Sequence, residues 1–141
     1  MRPAVLEDYG LYAAIKWYGE KFSERTNIRF KLNGRKPSRR LSDDVEITIF
    51  RVIEELFNNI AKHSKANKIM VDFSENEHYI ELLVQDDGIG FDIEEAKEKQ
   101  NATGLGIVSI EDRISSIGGD FWLDSKPGQG TKVKIKLEHE T

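Results

Sequence analysis

Three groups of residues in this chain combine types and spacings that suit chemistry. Glu55 and Asn59 stand four positions apart, with Lys62 and His63 one turn further on. Asp86-Asp87-Gly88-Ile89-Gly90-Phe91 follows an apolar alternation, and Thr103-Gly104-Leu105-Gly106-Ile107 precedes a helical one. Residues i and i+4 share one helix face, so Glu55 and Asn59 point the same way. A neutral amide oxygen such as that of Asn59 ligates Mg2+ without adding negative charge beside a polyphosphate. Glu55 can accept a proton from an attacking group or orient it, and Lys62 offers a point charge to phosphate. A carboxylate at a strand end, Asp86, can accept a hydrogen bond from an exocyclic amine, which selects adenine over guanine. Gly88 and Gly90 let the backbone turn sharply and approach a flat ring. Gly104 and Gly106 put free N–H groups and the positive end of a helix where phosphate would lie. Together these are the parts that nucleotide binding requires.

Each group has a plainer reading when taken alone. Glu55 and Asn59 can be ordinary polar residues on an exposed helix face. Asp-Asp-Gly is also a hairpin turn, although no strand follows within a few residues. A GxG before a helix is common for packing reasons, and Thr131 after Gly130 is an ordinary start to a strand. His63 falls back into the apolar stripe of its helix, so a packed, hydrogen-bonded histidine is expected there and not a catalytic one.

The elements that must position these groups are legible from periodicity. Leu11, Ala14, Ile15, Tyr18 and Phe22 recur at helical spacing and predict a helix over 10–25. A short strand over 28–32 leads to the Asn33-Gly34 turn signal. Ser42, followed by Asp43, Asp44 and Glu46, is a good N-cap with acids in the first turn. The helix it starts is expected to run to about Ser64, with Val45, Ile49, Val52, Ile53, Leu56 and Ile60 buried. Ile69, Val71 and Phe73, then Ile80, Leu82 and Val84, alternate with polar neighbours around Glu75-Asn76-Glu77-His78, which predicts a hairpin. Residues 105–117 read as a helix ended by Gly118-Gly119, and a second hairpin turns at Pro127-Gly128-Gln129-Gly130. Clean alternation buries one face of each strand. The expectation is therefore a two-layer α/β sandwich with helices on one face of the sheet, and not a doubly wound one. Glu94 to Asn101 is charged and has almost no apolar residue to hold it. It reads as a short exposed helix by propensity and as a lid by its lack of core contacts.

Composition removes several function classes. The 141 residues make one domain with a single core, 38% hydrophobic and 33% charged. A net charge of −4 argues against nonspecific nucleic-acid binding. The basic run from Arg35 to Arg40, without interleaved aromatics, is expected to be a solvated loop. Without cysteine there is no disulfide, thiolate nucleophile or zinc knuckle, which suits a cytoplasmic setting. No apolar run approaches a membrane span, so direct membrane contact by this domain is not expected, although a parent protein can still be membrane-anchored.

Over residues 50–138 the order of these groups resembles the N, G1 and G2 boxes of the GHKL ATP-binding domain, specifically the catalytic domain of sensor histidine kinases. Phe50-Arg51 through Glu55, Asn59, Lys62 and His63 is similar to the form found in kinases that partner NarL-type, helix-turn-helix response regulators. Arg2 to Leu11 resembles the segment where that subfamily leaves its dimerisation helices, so 1–10 is expected to end a linker and 11–141 to be the catalytic domain. The resemblance implies a Bergerat-type fold, MgATP as ligand, and transfer of the γ-phosphoryl group to a histidine on a separate dimerisation domain. It implies Mg2+ on Asn59, adenine on Asp86 and Thr131 (the latter through water), and catalysis through Glu55. Lys62, Gly88, Gly90, Thr103, Gly104, Leu105 and Gly106 complete the implied nucleotide site. The family usually has glutamine where Glu54 stands, a flanking position. None of the three histidines, His63, His78 and His139, lies in an acceptor-helix context, so the phosphoacceptor is expected on another segment. A GHKL ATPase, an anti-sigma-type serine kinase and a nucleotide-sensing module without transfer activity are the alternatives.

Overall fold

The structure, a computed structural model, describes residues 3–98 and 107–139. Helix α1 spans Ala4–Tyr9 and α2 spans Leu11–Thr26, separated by Gly10. Strand β1 (Arg29–Gly34) leads through a loop to the long helix α3 (Asp43–His63), then to β2 (Lys68–Glu75) and β3 (Tyr79–Asp86). A short helix α4 (Ile93–Glu98), helix α5 (Ile107–Ser116) and strands β4 (Asp120–Ser125) and β5 (Thr131–Glu138) complete the described elements.

The strands form one sheet in the order β1-β2-β3-β5-β4. β1 runs parallel to β2, and every other neighbouring pair is antiparallel. The parallel pair requires a crossover, and α3 is that crossover. Ile69, Val71 and Phe73 on β2, Ile80, Leu82 and Val84 on β3, and Val133, Ile135 and Leu137 on β5 all bury against the helices. Their alternating neighbours are exposed or half-buried, as a sheet with helices on one face requires.

Helix α3 begins where its sequence says it should. The Ser42 hydroxyl accepts from the Val45 N–H at 3.4 Å, with Asp43, Asp44 and Glu46 in the first turn and Lys62 and His63 in the last. Both charge placements favour the helix dipole. Its buried stripe is wider than the periodicity predicts: Phe50 and Phe57 are fully buried alongside Ile49, Val52 and Ile53. Phe57 packs against Phe22 of α2 with ring centroids 5.1 Å apart and against Tyr18 at 5.6 Å. Helix α2 ends at Asn27, in the left-handed conformation (φ 62°), its N–H returning to the Ser23 carbonyl.

One expectation needs correction and one an addition. His63 is exposed and not packed, because α3 ends at that residue; the next residue, Ser64, is buried. The Arg35–Arg40 run is largely exposed, as expected of a solvated loop, but Arg40 is recruited by the fold. Its guanidinium reaches Oε1 of Glu46 at 2.7 Å and the Leu6 carbonyl at 3.1 Å, because Glu46 on the first turn of α3 is buried and requires a cation.

Candidate functional site

Between α3, α5 and the β3-β5-β4 part of the sheet lies a cavity of about 170 Å³. Leu56 and Ile60 of α3, Ile110 of α5, and Val84, Leu123 and Val133 of the strands give it apolar walls. Asn59, His63, Asp86 and Thr131 also reach its lining. A mostly apolar hollow with a few convergent polar groups is the usual form of a small-molecule site.

The polar end of the cavity is built by sheet register. Asp86, the last residue of β3, pairs directly with Thr131, the first of β5. Asp86 is 5% exposed, and its Oδ1 accepts from the Gly88 N–H at 2.7 Å. Burial pushes its pKa above the usual 3.8; the Gly88 hydrogen bond opposes the shift and neighbouring Asp87 adds to it. Asp87 is structural. Its Oδ1 accepts from the Asn67 and Lys68 N–H groups at 2.8 and 3.0 Å, tying the strand end to the start of β2.

The glycines of this segment are required by space. A Cβ on Gly88 would stand 2.3 Å from the Ser64 carbonyl oxygen, and one on Gly90 (φ +65°) 2.1 Å from that of Lys126. Asp-Asp-Gly therefore forms no hairpin but a path pressed between the end of α3 and the β4–β5 turn. Ser125 holds that path from the other side. Its hydroxyl accepts from the Phe91 N–H at 3.0 Å and lies 2.9 Å from both the Gly130 carbonyl and the Thr131 hydroxyl. Nothing in the local sequence of Ser125 signals this role, which arises from the pairing of Ser125 with Thr131 across β4 and β5.

Asn59 is half-buried at the cavity wall, and Glu55 stands one turn earlier on the same face of α3. The Glu55 carboxylate pairs with the Arg113 guanidinium of α5, an interaction that the sequence pattern did not signal. Lys62 is exposed in the last turn of α3, outside the cavity wall. Thr103, Gly104, Leu105 and Gly106 lie outside the described residues, as do Lys99 to Asn101 of the expected lid. The described part of that stretch is α4, begun by the Asp92 carboxylate accepting from the Glu95 N–H at 2.9 Å.

The donor set fits a Mg2+ ion shared with a polyphosphate. Such an ion needs only one or two protein oxygens, the rest coming from phosphate and water. The half-buried Asn59 at the cavity wall carries an amide oxygen of the kind required, and among the described residues no three His, Asp or Glu side chains converge into a dedicated cage.

Comparison with known proteins places this geometry in a family. Over 139 residues the chain is 33% identical to the signal transduction histidine-protein kinase/phosphatase DegS of Bacillus subtilis, covering 96% of this chain and 36% of that protein. It is 34% identical over 145 residues to an uncharacterised sensor-like histidine kinase of Chloroflexus aurantiacus, covering all of this chain and 24% of the relative. The chain thus spans about a third or less of the length of these relatives. Its fold matches the catalytic domain of the histidine kinase ThkA with a TM-score of 0.71 at 22% identity, over 91% of this chain and 89% of that one. The histidine kinase domain from the blue-light activated kinase EL346 of Erythrobacter litoralis gives 0.70 at 16% identity, over 90% and 60% respectively. Residues 44–141 match the family of histidine kinase-, DNA gyrase B- and HSP90-like ATPases, so the chain belongs to that family, as an ATP-binding domain homologous to those of histidine kinases.

Proposed function

We propose that this chain is the catalytic domain of a two-component sensor histidine kinase, binding MgATP and passing its γ-phosphoryl group to a histidine on a separate dimerisation domain of the same parent. The observation that carries the nucleotide reading is Asp86: a buried carboxylate at the polar end of an apolar cavity, with no cationic partner among the described residues. Such a group needs a hydrogen-bond donor from a ligand, and the exocyclic amine of adenine supplies one. The Thr131 hydroxyl beside it adds a second polar contact, direct or through water.

In this reading Asn59 would hold the Mg2+ ion, which when bound offsets charge on the phosphates. Glu55 would orient the attacking imidazole or accept its proton. Lys62 and the backbone of Thr103 to Gly106 would face the phosphates. Phosphoryl transfer leaves little covalent work to the protein, so positioning and charge neutralisation supply most of the rate. The three histidines of the chain sit at the end of α3, in the β2–β3 turn and after β5, and none lies on a helix suited to receive phosphate. The acceptor is therefore assigned to a dimerisation helix outside this sequence, with residues 1–10 as the end of the linker from it and a helix-turn-helix response regulator acting downstream. The names of the sequence relatives favour a histidine acceptor over serine or water. A cytoplasmic setting follows from ATP as donor. No described helix is long and apolar enough to cross a membrane.

Titration calorimetry with ATP and GTP tests the adenine assignment: ATP is expected to bind at least about tenfold more tightly, and equal affinities would overturn it. Asn59→Ala should weaken the Mg2+-dependent part of ATP binding and leave metal-free ADP binding unchanged. The chain alone should hydrolyse ATP slowly and carry no label from [γ-32P]ATP. A fragment bearing the parent's dimerisation helices, added in trans, should gain acid-labile, base-stable label, weakly because tethering is lost. Acid-stable label on serine would favour the anti-sigma-type reading, and brisk hydrolysis by the lone chain the ATPase one.

A further inference from the structure

We propose that Arg113 is a positioning residue for the transfer reaction, holding the Glu55 carboxylate one turn from the cavity wall; the inference rests on the reading of Glu55 as the group that serves the attacking nucleophile. Glu55 is one turn from Asn59 on α3, and Arg113 is one turn from Ile110 on α5; Asn59 and Ile110 both line the cavity. The ion pair therefore bridges the two helices one turn along from the cavity wall.

Stability does not account for the contact. Arg113 is 39% exposed and Glu55 30%, and ion pairs this wet add little to folding. Helix α5 is already anchored by Ile110 and Ile114, both almost fully buried. What the guanidinium changes is Glu55 itself. A glutamate side chain has three free torsions, and a carboxylate that must meet an incoming nucleophile has to have all three held in one combination. Arg113 engages Oε2, and a carboxylate has lone pairs to spare for a second donor, so the anchored group can still accept from the nucleophile. The contact also joins the helix bearing Glu55 and Asn59 to the helix that follows the Gly104–Gly106 stretch in the chain. Orientation of the carboxylate is thereby set by a neighbouring element and not by its own helix alone.

The test is a double-mutant cycle on ATP turnover by the chain, with affinity for a non-hydrolysable ATP analogue measured by calorimetry on every variant. Arg113→Ala should lower kcat about 10- to 100-fold, the usual effect of a misplaced catalytic group. Analogue affinity and KM should stay within about twofold of wild type. Arg113→Lys should recover part of the rate, since an ammonium restores charge without the planar fork. In a Glu55→Gln background, Arg113→Ala should cost less than about twofold more, because the two residues act as a unit. The same variants are read as acid-labile label on the acceptor fragment, so slow hydrolysis does not blunt the comparison. Additive losses, or analogue affinity falling as far as kcat, would overturn the proposal and make Arg113 a phosphate contact. A Glu55→Gln variant of wild-type rate would overturn both the proposal and the role given to Glu55. Loss in Glu55→Gln combined with additivity sinks the Arg113 inference alone.

Discussion

Two carboxylates are buried among the described residues, Glu46 at 3% exposure and Asp86 at 5%, and the fold treats them in opposite ways. Glu46, on the first turn of α3, receives Arg40 in a fork: Nε lies 3.1 Å from Oε2 and Nη2 2.7 Å from Oε1. The same guanidinium donates to the carbonyls of Leu6 and Glu7 at the end of α1, so one cation ties the N-terminal helix, the basic loop and α3 together. Asp86, at the far end of the sheet's central strand, receives one backbone N–H and faces a cavity. Its charge is left exposed to the cost of burial, which is why its pKa rises. A carboxylate with its partner supplied from within is scaffolding. A carboxylate whose partner is withheld is the one proposed to bind, and the difference separates the two without reference to any ligand.

That contrast breaks most sharply at Asp86. Asp86→Asn should weaken ATP binding about 10- to 150-fold, the factor equivalent to the 1.5–3 kcal/mol of a hydrogen bond to a charged group. Calorimetry gives that number, and circular dichroism should show the fold unchanged. Arg40→Ala should do the reverse: a loss of about 2 kcal/mol of stability in urea unfolding, with ATP affinity within about threefold of wild type. The loss is set below the roughly 3–5 kcal/mol typical of broken buried pairs because Arg40 is 43% exposed and water reaches the vacated site. If Arg40→Ala abolished ATP binding without destabilising the chain, the two carboxylates would not divide as structure and site.

A smaller effect sharpens the same point. The folded-state pKa of Asp86 is raised, so the native chain holds that proton more tightly than the unfolded one does. Its contribution to stability is therefore full below the usual 3.8 and is lost as pH rises through the raised value. At neutral pH the ionised form is a net cost, and Asp86→Asn should melt at the same temperature as wild type or about 2–4 °C higher. If adenine meets the ionised carboxylate as proposed, affinity on acidification should fall at a higher pH than an ordinary carboxylate would dictate. The residual binding of Asp86→Asn should lack that inflection. A flat profile for wild type would mean that adenine does not meet Asp86.

The amino-acid sequence by itself determined the elements. The Ser42 cap, the two alternating hairpins and the apolar stripe of α3 are local patterns whose physics is complete within a few residues, and they appear close to where the sequence puts them. It also singled out Asn59, Asp86, Gly90 and Thr131, which the fold gathers around one cavity although they span 73 positions of the chain. Tertiary structure decided what depends on partners distant in sequence. Glu46 and Asp86 look alike in a string of letters, and only the arrival of Arg40 at one of them separates their roles. Phe50 and Phe57 extend the buried stripe because α2 supplies aromatic rings on that side. His63, which periodicity assigned to the core, is exposed because α3 ends at that residue, on the lining of the cavity. Ser125 and Arg113 gain their places from strand register and helix packing, with Ser125 six residues from Thr131 and Arg113 fifty-eight from Glu55. Helical and strand periods report which face of an element meets the core, whereas the choice of neighbour is made by the packed chain as a whole.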